Sequence, residues 1–240
     1  MRFPAPLVRA TLIRRYKRFL ADVELECGTV VTAHVANSGA MLGTSAPGLE
    51  VWLSPAANPA RKLQWSWEMT RIDSHLVGVN TAWPNAVAAE AVAAGLIPEL
   101  AGYRSIRREV KYGRNSRIDL LLEADGRPTC WVEVKSAHLK RGDHAEFPDA
   151  VTARGTKHLG ELRDVVAGGG RAVMLFLVQR GDCRAFRPAA DIDPVYAAAL
   201  AAATRDGVEA ICYTCVLSLD GIEIGGRLPM ETCASGRDGT

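Results

Sequence analysis

The sequence predicts a two-domain protein of the α+β class, with a domain boundary near residue 80. Up to that point the segments are short and β-rich, and Gly, Pro and Asn separate them, which is typical of a small barrel or sandwich. From residue 81 onward, alanine-rich helical stretches alternate with apolar strands, which indicates an α/β layer fold. The 240 residues, of which 48% are hydrophobic, suffice for one large core or two modest ones.

Six short candidate strands make up the first domain. Each is rich in β-branched, aromatic or other apolar residues, and turn-forming residues such as Gly28 and Pro47-Gly48 separate them. We expect these strands at residues 7–13, 23–25, 30–35, 50–53, 64–72 and 75–79. Trp65 and Trp67 alternate, so they lie on one face of a strand. That face is either part of the core or a platform on which nucleic-acid bases stack.

Helices and strands alternate in the second domain. Helices are expected at residues 84–94, 150–167 and 194–205, and Pro84 suits the first turn of the first of them. Strands are expected at residues 106–112, 117–123, 129–135, 172–178 and 208–217. Residues 172–178 form a continuous apolar run, as a central strand of a sheet should.

The charge distribution is more informative than the net charge of +2. Residues 1–80 carry nine Lys and Arg against six Asp and Glu, while residues 81–240 carry twenty against twenty-one. A second basic cluster lies at residues 104–117, with six basic residues and one acidic residue. Each cluster is either solvated surface or a contact for an acidic partner such as nucleic acid.

The chain has the composition of a soluble cytosolic protein. It has no apolar run long enough to span a bilayer and no secretory signal, so we expect no membrane association. Six cysteines in such a protein do not indicate disulfides. Cys212 and Cys215 form a single C-x-x-C pair, whereas a structural zinc site needs four ligands. We therefore expect this pair to lie in a buried strand.

Two neighbouring segments carry the most informative side chains. Residues 117–123 and 129–135 flank the turn signal Asp125-Gly126, so they predict a β-hairpin. With a three-residue loop at 125–127, Asp119 lies opposite Glu133. One face is then wholly apolar and consists of Ile118, Leu120, Leu122, Cys130, Val132 and Val134. A two-residue loop would mix polar and apolar faces, which strand pairing disfavours.

Two carboxylates placed opposite each other repel, so Asp119 and Glu133 need a raised pKa, a cation or a basic neighbour. A magnesium ion uses one or two carboxylates together with water and phosphate oxygens. Lys135 projects from the same face, and a metal beside an ammonium group suits hydrolysis of a phosphodiester bond. A surface salt bridge of Lys135 is the alternative, because Glu109-Val110-Lys111 repeats the Glu-x-Lys pattern without a preceding Asp.

The predicted helices add further candidates. Glu90 is the only Lys, Arg, Asp or Glu between Asp73 and Glu99, so it requires either solvent or a partner such as a metal or a base. In the helix at 150–167, the core face is expected to consist of Gly155, Leu159, Leu162 and Val166. The opposite stripe consists of Arg154, Lys157, His158 and Glu161, and it either faces solvent or contacts phosphates.

These residues resemble two known groups of proteins. Asp119, Glu133-x-Lys135 and the upstream Glu90 are similar to the motif of the PD-(D/E)xK nuclease superfamily, with Ile118 at the position of the proline. The whole chain resembles the sugar fermentation stimulation protein A (SfsA) family. The stretches that carry this resemblance lie at residues 3–7, 14–19, 37–43, 78–81, 108–112, 117–119, 132–136 and 147–152.

The resemblance implies an OB-like β-barrel over residues 1–80 and a PD-(D/E)xK nuclease-like α/β domain with a mixed central sheet over residues 81–240. It also implies DNA binding and a link to the regulation of sugar (maltose) metabolism genes. By position, Asp119 and Glu133 would bind Mg²⁺ or Mn²⁺, Lys135 would be catalytic, and Glu90 would add a carboxylate to the metal. The loop at 37–40 reads Asn-Ser-Gly-Ala and departs from the family pattern.

Basic and aromatic residues mark the surfaces expected to contact DNA, since cations follow phosphates and rings stack on bases. The predicted contacts are Arg14, Arg15, Tyr16, Lys17, Arg18, Arg117, Arg154, Lys157 and His158. We therefore predict a DNA-binding protein with a metal-dependent nuclease site. The alternatives are a DNA-binding regulator without catalysis and a protein-interaction module. Single- or double-stranded DNA and a homo-oligomer are all compatible with the sequence.

Overall fold

Two domains follow one another along the chain. The structure, a computed structural model, describes residues 1–113 and 115–231. The first domain contains β1 (Val8–Tyr16), β2 (Leu20–Leu25), β3 (Val30–His34), β4 (Glu50–Pro55), β5 (Trp65–Ile72) and β6 (His75–Gly78). The strand order is β3-β2-β1-β4-β5-β6, and a parallel pairing of β3 with β5 closes the first five strands into a barrel. The predicted OB-like barrel is confirmed.

The interior of the barrel is apolar. Side chains from every barrel strand fill it, among them Leu12, Val23, Ala33 and Leu53. Trp67 is fully buried in this core, and the half-buried Trp65 packs against it. The tryptophan face therefore belongs to the core rather than to a platform for stacking bases.

The second domain is built on a mixed six-stranded sheet. Its strands are β7 (Ser105–Tyr112), β8 (Ser116–Glu123), β9 (Cys130–Ala137), β12 (Arg171–Val178), β14 (Glu209–Leu217) and β15 (Ile222–Arg227). The order is β15-β14-β12-β9-β8-β7, with β12 parallel to both β9 and β14. A small three-stranded sheet consists of β10 (Leu139–Arg141), β11 (His144–Phe147) and β13 (Ala185–Pro188).

Helices cover both faces of the large sheet. These are α1 (Pro84–Ala93), α2 (Ala153–Ala167) and α3 (Pro194–Arg205), and a short 3-10 turn lies at Pro98–Leu100. Helix α1 shares one core with the sheet, whereas α2 and α3 share the other. None of the helices in the described ranges is long and apolar enough to cross a membrane.

The C-x-x-C pair lies in β14, as expected. Cys212 and Cys215 are almost completely buried. Burial raises the pKa of the Cys215 thiol to about 12. A buried thiol with a raised pKa is a poor metal ligand, because metals bind the thiolate. The prediction of a buried strand is confirmed.

The hairpin of β8 and β9 has the predicted register, with Leu120 paired to Val132 and Leu122 to Cys130. One part of the predicted apolar face is wrong, because Ile118 packs in the opposite core, on the side of α2 and α3. The β7–β8 ladder is interrupted at Glu109 and Asp119, and Glu109 has a positive φ of 53°. This interruption turns Ile118 to the other face and leaves Asp119 at an irregular point of the sheet.

The barrel packs directly on the second domain. Met69 of β5 lies in the core shared by α1 and the large sheet, and Trp52 and Leu76 pack against that core. The backbone N–H of Gly78 donates to the carbonyl of Gln179 at 2.8 Å. Side chains of both domains therefore share one apolar core, which holds the barrel beside the ends of β8 and β9.

Candidate functional site

A cleft of about 340 Å³ lies where the barrel meets the second domain. Its floor carries three residues of the predicted site, Asp119, Glu133 and Lys135. The predicted DNA contacts Arg154 and His158 line it as well. The remaining walls come from the barrel loop at 37–39, the start of α1 and the segment at 147–152.

Asp119 lies at the irregular step of β8, where its carboxylate reaches two donors. The backbone N–H of Val134 donates to Oδ2 at 2.7 Å, and Asn85 Nδ2 donates to Oδ1 at 2.6 Å. Burial and the charge of Glu133 raise the pKa of Asp119 to about 6, although these hydrogen bonds and Lys135 act in the opposite direction. The site therefore holds one carboxyl group that changes charge close to neutral pH.

Glu133 is the most deeply buried acid of the cleft, at 2% exposure. Its Oε1 accepts from Lys135 Nζ at 2.6 Å and makes a short contact with His158 Nδ1. Burial alone would raise the pKa of Glu133, but His158 and Lys135 outweigh it and hold the pKa below its usual range. Within the described residues, its Oε2 is buried without a hydrogen-bond partner.

Lys135 and His158 contact Glu133, and Arg154 lies behind His158. Lys135 Nζ lies 3.4 Å from His158 Nδ1, and Arg154 Nε lies 3.4 Å from His158 Nε2. The predicted polar stripe of α2 is therefore partly wrong, since His158 and Glu161 are buried while Arg154 and Lys157 are exposed. His158 turns inward because the sheet presents the carboxylate of Glu133 to α2, and a buried charge requires a partner.

The structure brings three further polar residues to the cleft that the sequence reasoning missed. Asn85 follows Pro84 in the first turn of α1 and holds Asp119. Asp149 accepts from the backbone N–H of Met41 at 2.7 Å and lies 3.2 Å from His138 Nε2. The one available signal for Asp149 was its place in the family-like stretch at 147–152.

Glu90 does not join the other two carboxylates. Its side chain is 62% exposed and lies 2.6 Å from the N-terminal ammonium of Met1. Glu90 is not among the residues that line the cleft. In the described ranges, no three His, Cys, Asp or Glu residues form a group that could hold a metal ion. A cation in the cleft would therefore have two protein carboxylates, Asp119 and Glu133, as its acidic ligands.

The basic residues of the barrel have different environments. Arg14 Nε and the Tyr16 hydroxyl donate to the two oxygens of Asp22 at 2.9 and 3.0 Å. Arg15 donates to backbone carbonyls of the loop at 37–40. Lys17 and Arg18 are exposed at the turn between β1 and β2, where both have positive φ angles. Both side chains are therefore accessible to a ligand.

Arg117 and Lys157 lie outside the cleft. Arg117 is exposed and lines a second depression with Tyr112 and Ser116. Lys157 Nζ donates to Ser116 Oγ at 3.0 Å and lies 3.4 Å from Glu161. The predicted DNA contacts are thus distributed over the barrel turn, the cleft and this second depression.

Comparison with known families supports the two-part layout. A family model described as the SfsA N-terminal OB domain matches residues 13–79. A second, described as the sugar fermentation stimulation protein RE domain, matches residues 82–221. The two matched regions correspond to the barrel and to most of the α/β domain.

Individual relatives match almost the whole chain. A sugar fermentation stimulation protein homolog of Paramagnetospirillum magneticum is 75% identical over 96% of this chain and 98% of its own length. The homolog of Rhodospirillum centenum is 64% identical over 96% of this chain and 100% of its own length. A solved structure of Pyrococcus furiosus SfsA in complex with Ca²⁺ is 29% identical, with a TM-score of 0.88 over 96% of this chain and 98% of that chain. The chain therefore belongs to the sugar fermentation stimulation protein (SfsA) family.

Proposed function

We propose that this protein binds DNA and hydrolyses phosphodiester bonds in the cleft with the help of Mg²⁺ or Mn²⁺. One observation carries the proposal: Asp119 and Glu133 lie beside Lys135 on the floor of a cleft, and the buried Oε2 of Glu133 has no hydrogen-bond partner in the described ranges. A buried carboxylate oxygen without a partner costs free energy, and a bound cation would remove that cost.

The chemistry of the site suits a divalent cation. Magnesium takes one or two carboxylates and fills its other positions with water and phosphate oxygens, so Asp119 and Glu133 are sufficient protein acids. A bound divalent cation polarises a phosphate and lowers the pKa of water. The Pyrococcus furiosus relative was solved in complex with Ca²⁺, a cation that prefers the same oxygen ligands.

The chain's own cations supply the remaining chemistry. The Lys135 side chain is mostly buried at 14% exposure, so its ammonium group acts in a medium where charge is poorly screened. Held by Glu133, it can stabilise negative charge that develops on a phosphate. Arg154 borders the same cleft and can hold an adjacent phosphate. His158 orients Glu133 through the contact between Nδ1 and Oε1.

One observation favours a second function, that of a non-catalytic DNA-binding regulator of sugar (maltose) metabolism genes. Glu90 is bound to the N-terminal ammonium rather than to the cleft, so the cleft lacks the third carboxylate that the superfamily motif led us to expect. Lys17 and Arg18, at the turn between β1 and β2, could bind DNA phosphates in a regulator as well as in a nuclease. The two functions differ in whether bound DNA is cut.

The deciding experiment compares wild-type protein with Lys135→Ala on labelled single- and double-stranded DNA, in Mg²⁺, Mn²⁺ or chelator. We expect cutting that requires the metal and falls at least about 100-fold in Lys135→Ala, as for loss of a group that stabilises charge in a transition state. Lys62→Ala, which removes an exposed lysine of the barrel, is the matched control and should cut normally. DNA binding without cutting, equal in all three proteins, would select the regulator.

A further inference from the structure

The wall of the cleft that the barrel contributes is fixed in place. Arg15 donates to the carbonyls of Asn37 at 3.0 Å, Gly39 at 2.9 Å and Ala40 at 3.1 Å. Asn37 Nδ2 donates to the carbonyl of Val79 at 2.9 Å. Side-chain hydrogen bonds therefore hold the loop at 37–40 at three of its four residues, which makes it a fixed wall rather than a lid.

The opposite wall meets this loop directly. The Asp149 carboxylate accepts from the backbone N–H of Met41, just beyond the loop, at 2.7 Å. A Cβ atom at Gly39 would lie 2.4 Å from Asp149 Oδ1, so a residue with a side chain cannot replace glycine here without movement. The two domains thus close over one side of the carboxylates, and the space between them is about 340 Å³.

We propose that the DNA strand accepted by this cleft is single-stranded, an inference that rests on the proposed function. A space of about 340 Å³ is at the lower end of the range for sites that hold one small molecule, which is the size of about one nucleotide. A double helix is wider than its own major groove of about 12 Å, so it is too bulky to enter a space of about 340 Å³ between two fixed walls. A single strand can enter one nucleotide at a time.

The turn of the barrel beside the loop extends this site. The same guanidinium of Arg15 that holds the loop also donates to the carbonyl of Arg18, at 2.8 Å from Nη2. The backbone of this turn therefore lies against the cleft wall, and the turn carries the exposed side chains of Lys17, Arg18 and Phe19, the last at 45% exposure. An aromatic ring flanked by cations suits a single strand, because an unpaired base offers its face for stacking while the cations hold phosphates.

Phe19 is the residue on which an unpaired base would stack. Its ring is 45% exposed and does not belong to the barrel core. Val30 provides a control, because it is another exposed apolar residue of the barrel, at 58% exposure. Val30 is the first residue of β3, so it lies near the end of β2 that is distant from the turn at residues 17–19.

The test measures binding by fluorescence anisotropy, with calcium in place of magnesium so that binding is observed separately from cutting. Labelled single-stranded and blunt duplex DNA of equal length are titrated with wild-type protein, Phe19→Ala, Phe19→Trp and Val30→Ala. We expect wild-type protein to bind the single strand at least about tenfold more tightly than the duplex. Phe19→Ala should lose about tenfold in affinity for the single strand, whereas Phe19→Trp and Val30→Ala should not.

The possible results separate this inference from the proposed function. Equal affinity for both DNA forms, or a Phe19→Ala protein that binds like Val30→Ala, would overturn the inference. So would equal cutting of blunt duplex and single strand in magnesium, even though that result would support hydrolysis. A single-strand preference that depends on Phe19 supports the inference even if no cutting follows, and in that case the proposed hydrolysis fails alone.

Discussion

At the scale of single residues, Asp119 links stability to pH. Its pKa is raised to about 6, chiefly by burial and next by Glu133, whereas an unfolded Asp titrates at about 3.9. The folded state therefore favours the protonated carboxyl group. This contribution to stability is fully present below about pH 4 and is lost as the pH rises through 6. At pH 8 the ionised group costs on the order of 1–3 kcal/mol.

We expect Asp119→Asn to be more stable than wild-type protein at pH 8 by ~1–3 kcal/mol, since the amide carries no charge to bury. At pH 4 the two proteins should differ by less than about 0.5 kcal/mol, within the range of an ordinary neutral change. Urea unfolding at both pH values, with chelator present, measures the difference. Asp125→Asn, a change in the exposed hairpin turn, should be neutral throughout. A less stable Asp119→Asn protein at pH 8 would contradict this account of the site.

At the scale of elements, two glycines of α2 have opposite surroundings. A Cβ at Gly155 would lie 2.9 Å from the side chain of Thr152 and 3.0 Å from Tyr196 Cε2, whereas a Cβ at Gly160 would meet no atom within 4 Å. Thr152 is the N-cap of α2, and its Oγ1 accepts from the Gly155 N–H at 3.1 Å. The close approach of α3 thus fixes the end of α2 that carries Arg154 and His158.

Alanine at these two positions should change the free energy of unfolding in opposite directions. Gly160→Ala should stabilise by about 0.5–1 kcal/mol, because it removes backbone freedom from the unfolded chain at no steric cost. Gly155→Ala should destabilise by about 1–3 kcal/mol through overpacking against Thr152 and Tyr196. Thermal and urea unfolding provide the comparison. Changes of the same sign in both variants would show that the α2–α3 contact is looser than described.

The sequence predicted elements well where one face of a helix or strand is apolar. Helices α1 and α3 begin at Pro84 and Pro194, as expected, because proline favours the first turn. The strands of the small sheet were missed, since they are three or four residues long and too short to show an alternation. The β8–β9 register was predictable because slipping it by one residue would have put polar side chains into the core.

Contacts between distant parts of the chain explain the errors at the site. Glu90 pairs with the N-terminus, and nothing in the sequence around Glu90 encodes that partner. His158 is polar, so its place in the helical pattern pointed to solvent, whereas the charge of Glu133 on the facing strand draws it inward. Burial of a polar side chain depends on its partner, and the partner is known only when the fold is known.

At the scale of the whole molecule, the carboxyl group of Glu68 joins the two domains. This β5 residue is 1% exposed and accepts from Ser54 Oγ at 2.5 Å, Asn80 Nδ2 at 2.8 Å and Trp83 Nε1 at 2.5 Å. Trp83 is the N-cap residue of α1, and Asn85 of the same helix holds Asp119. One buried group therefore connects the barrel, the linker and the helix that positions a carboxylate of the cleft.

We expect Glu68→Ala to lower the free energy of unfolding by about 2–4 kcal/mol, because it leaves the buried donor of Asn80 and the half-buried donor of Trp83 without an acceptor. Glu68→Gln retains an acceptor oxygen and fills the same volume, so its loss should be about 1 kcal/mol or less. Tryptophan fluorescence during urea unfolding measures both changes. Since the domains share one apolar core, wild-type protein should unfold in a single transition, and Glu68→Ala should broaden or split it. If Glu68→Ala unfolds at the same urea concentration as wild-type protein, the shared apolar core alone joins the barrel to the second domain.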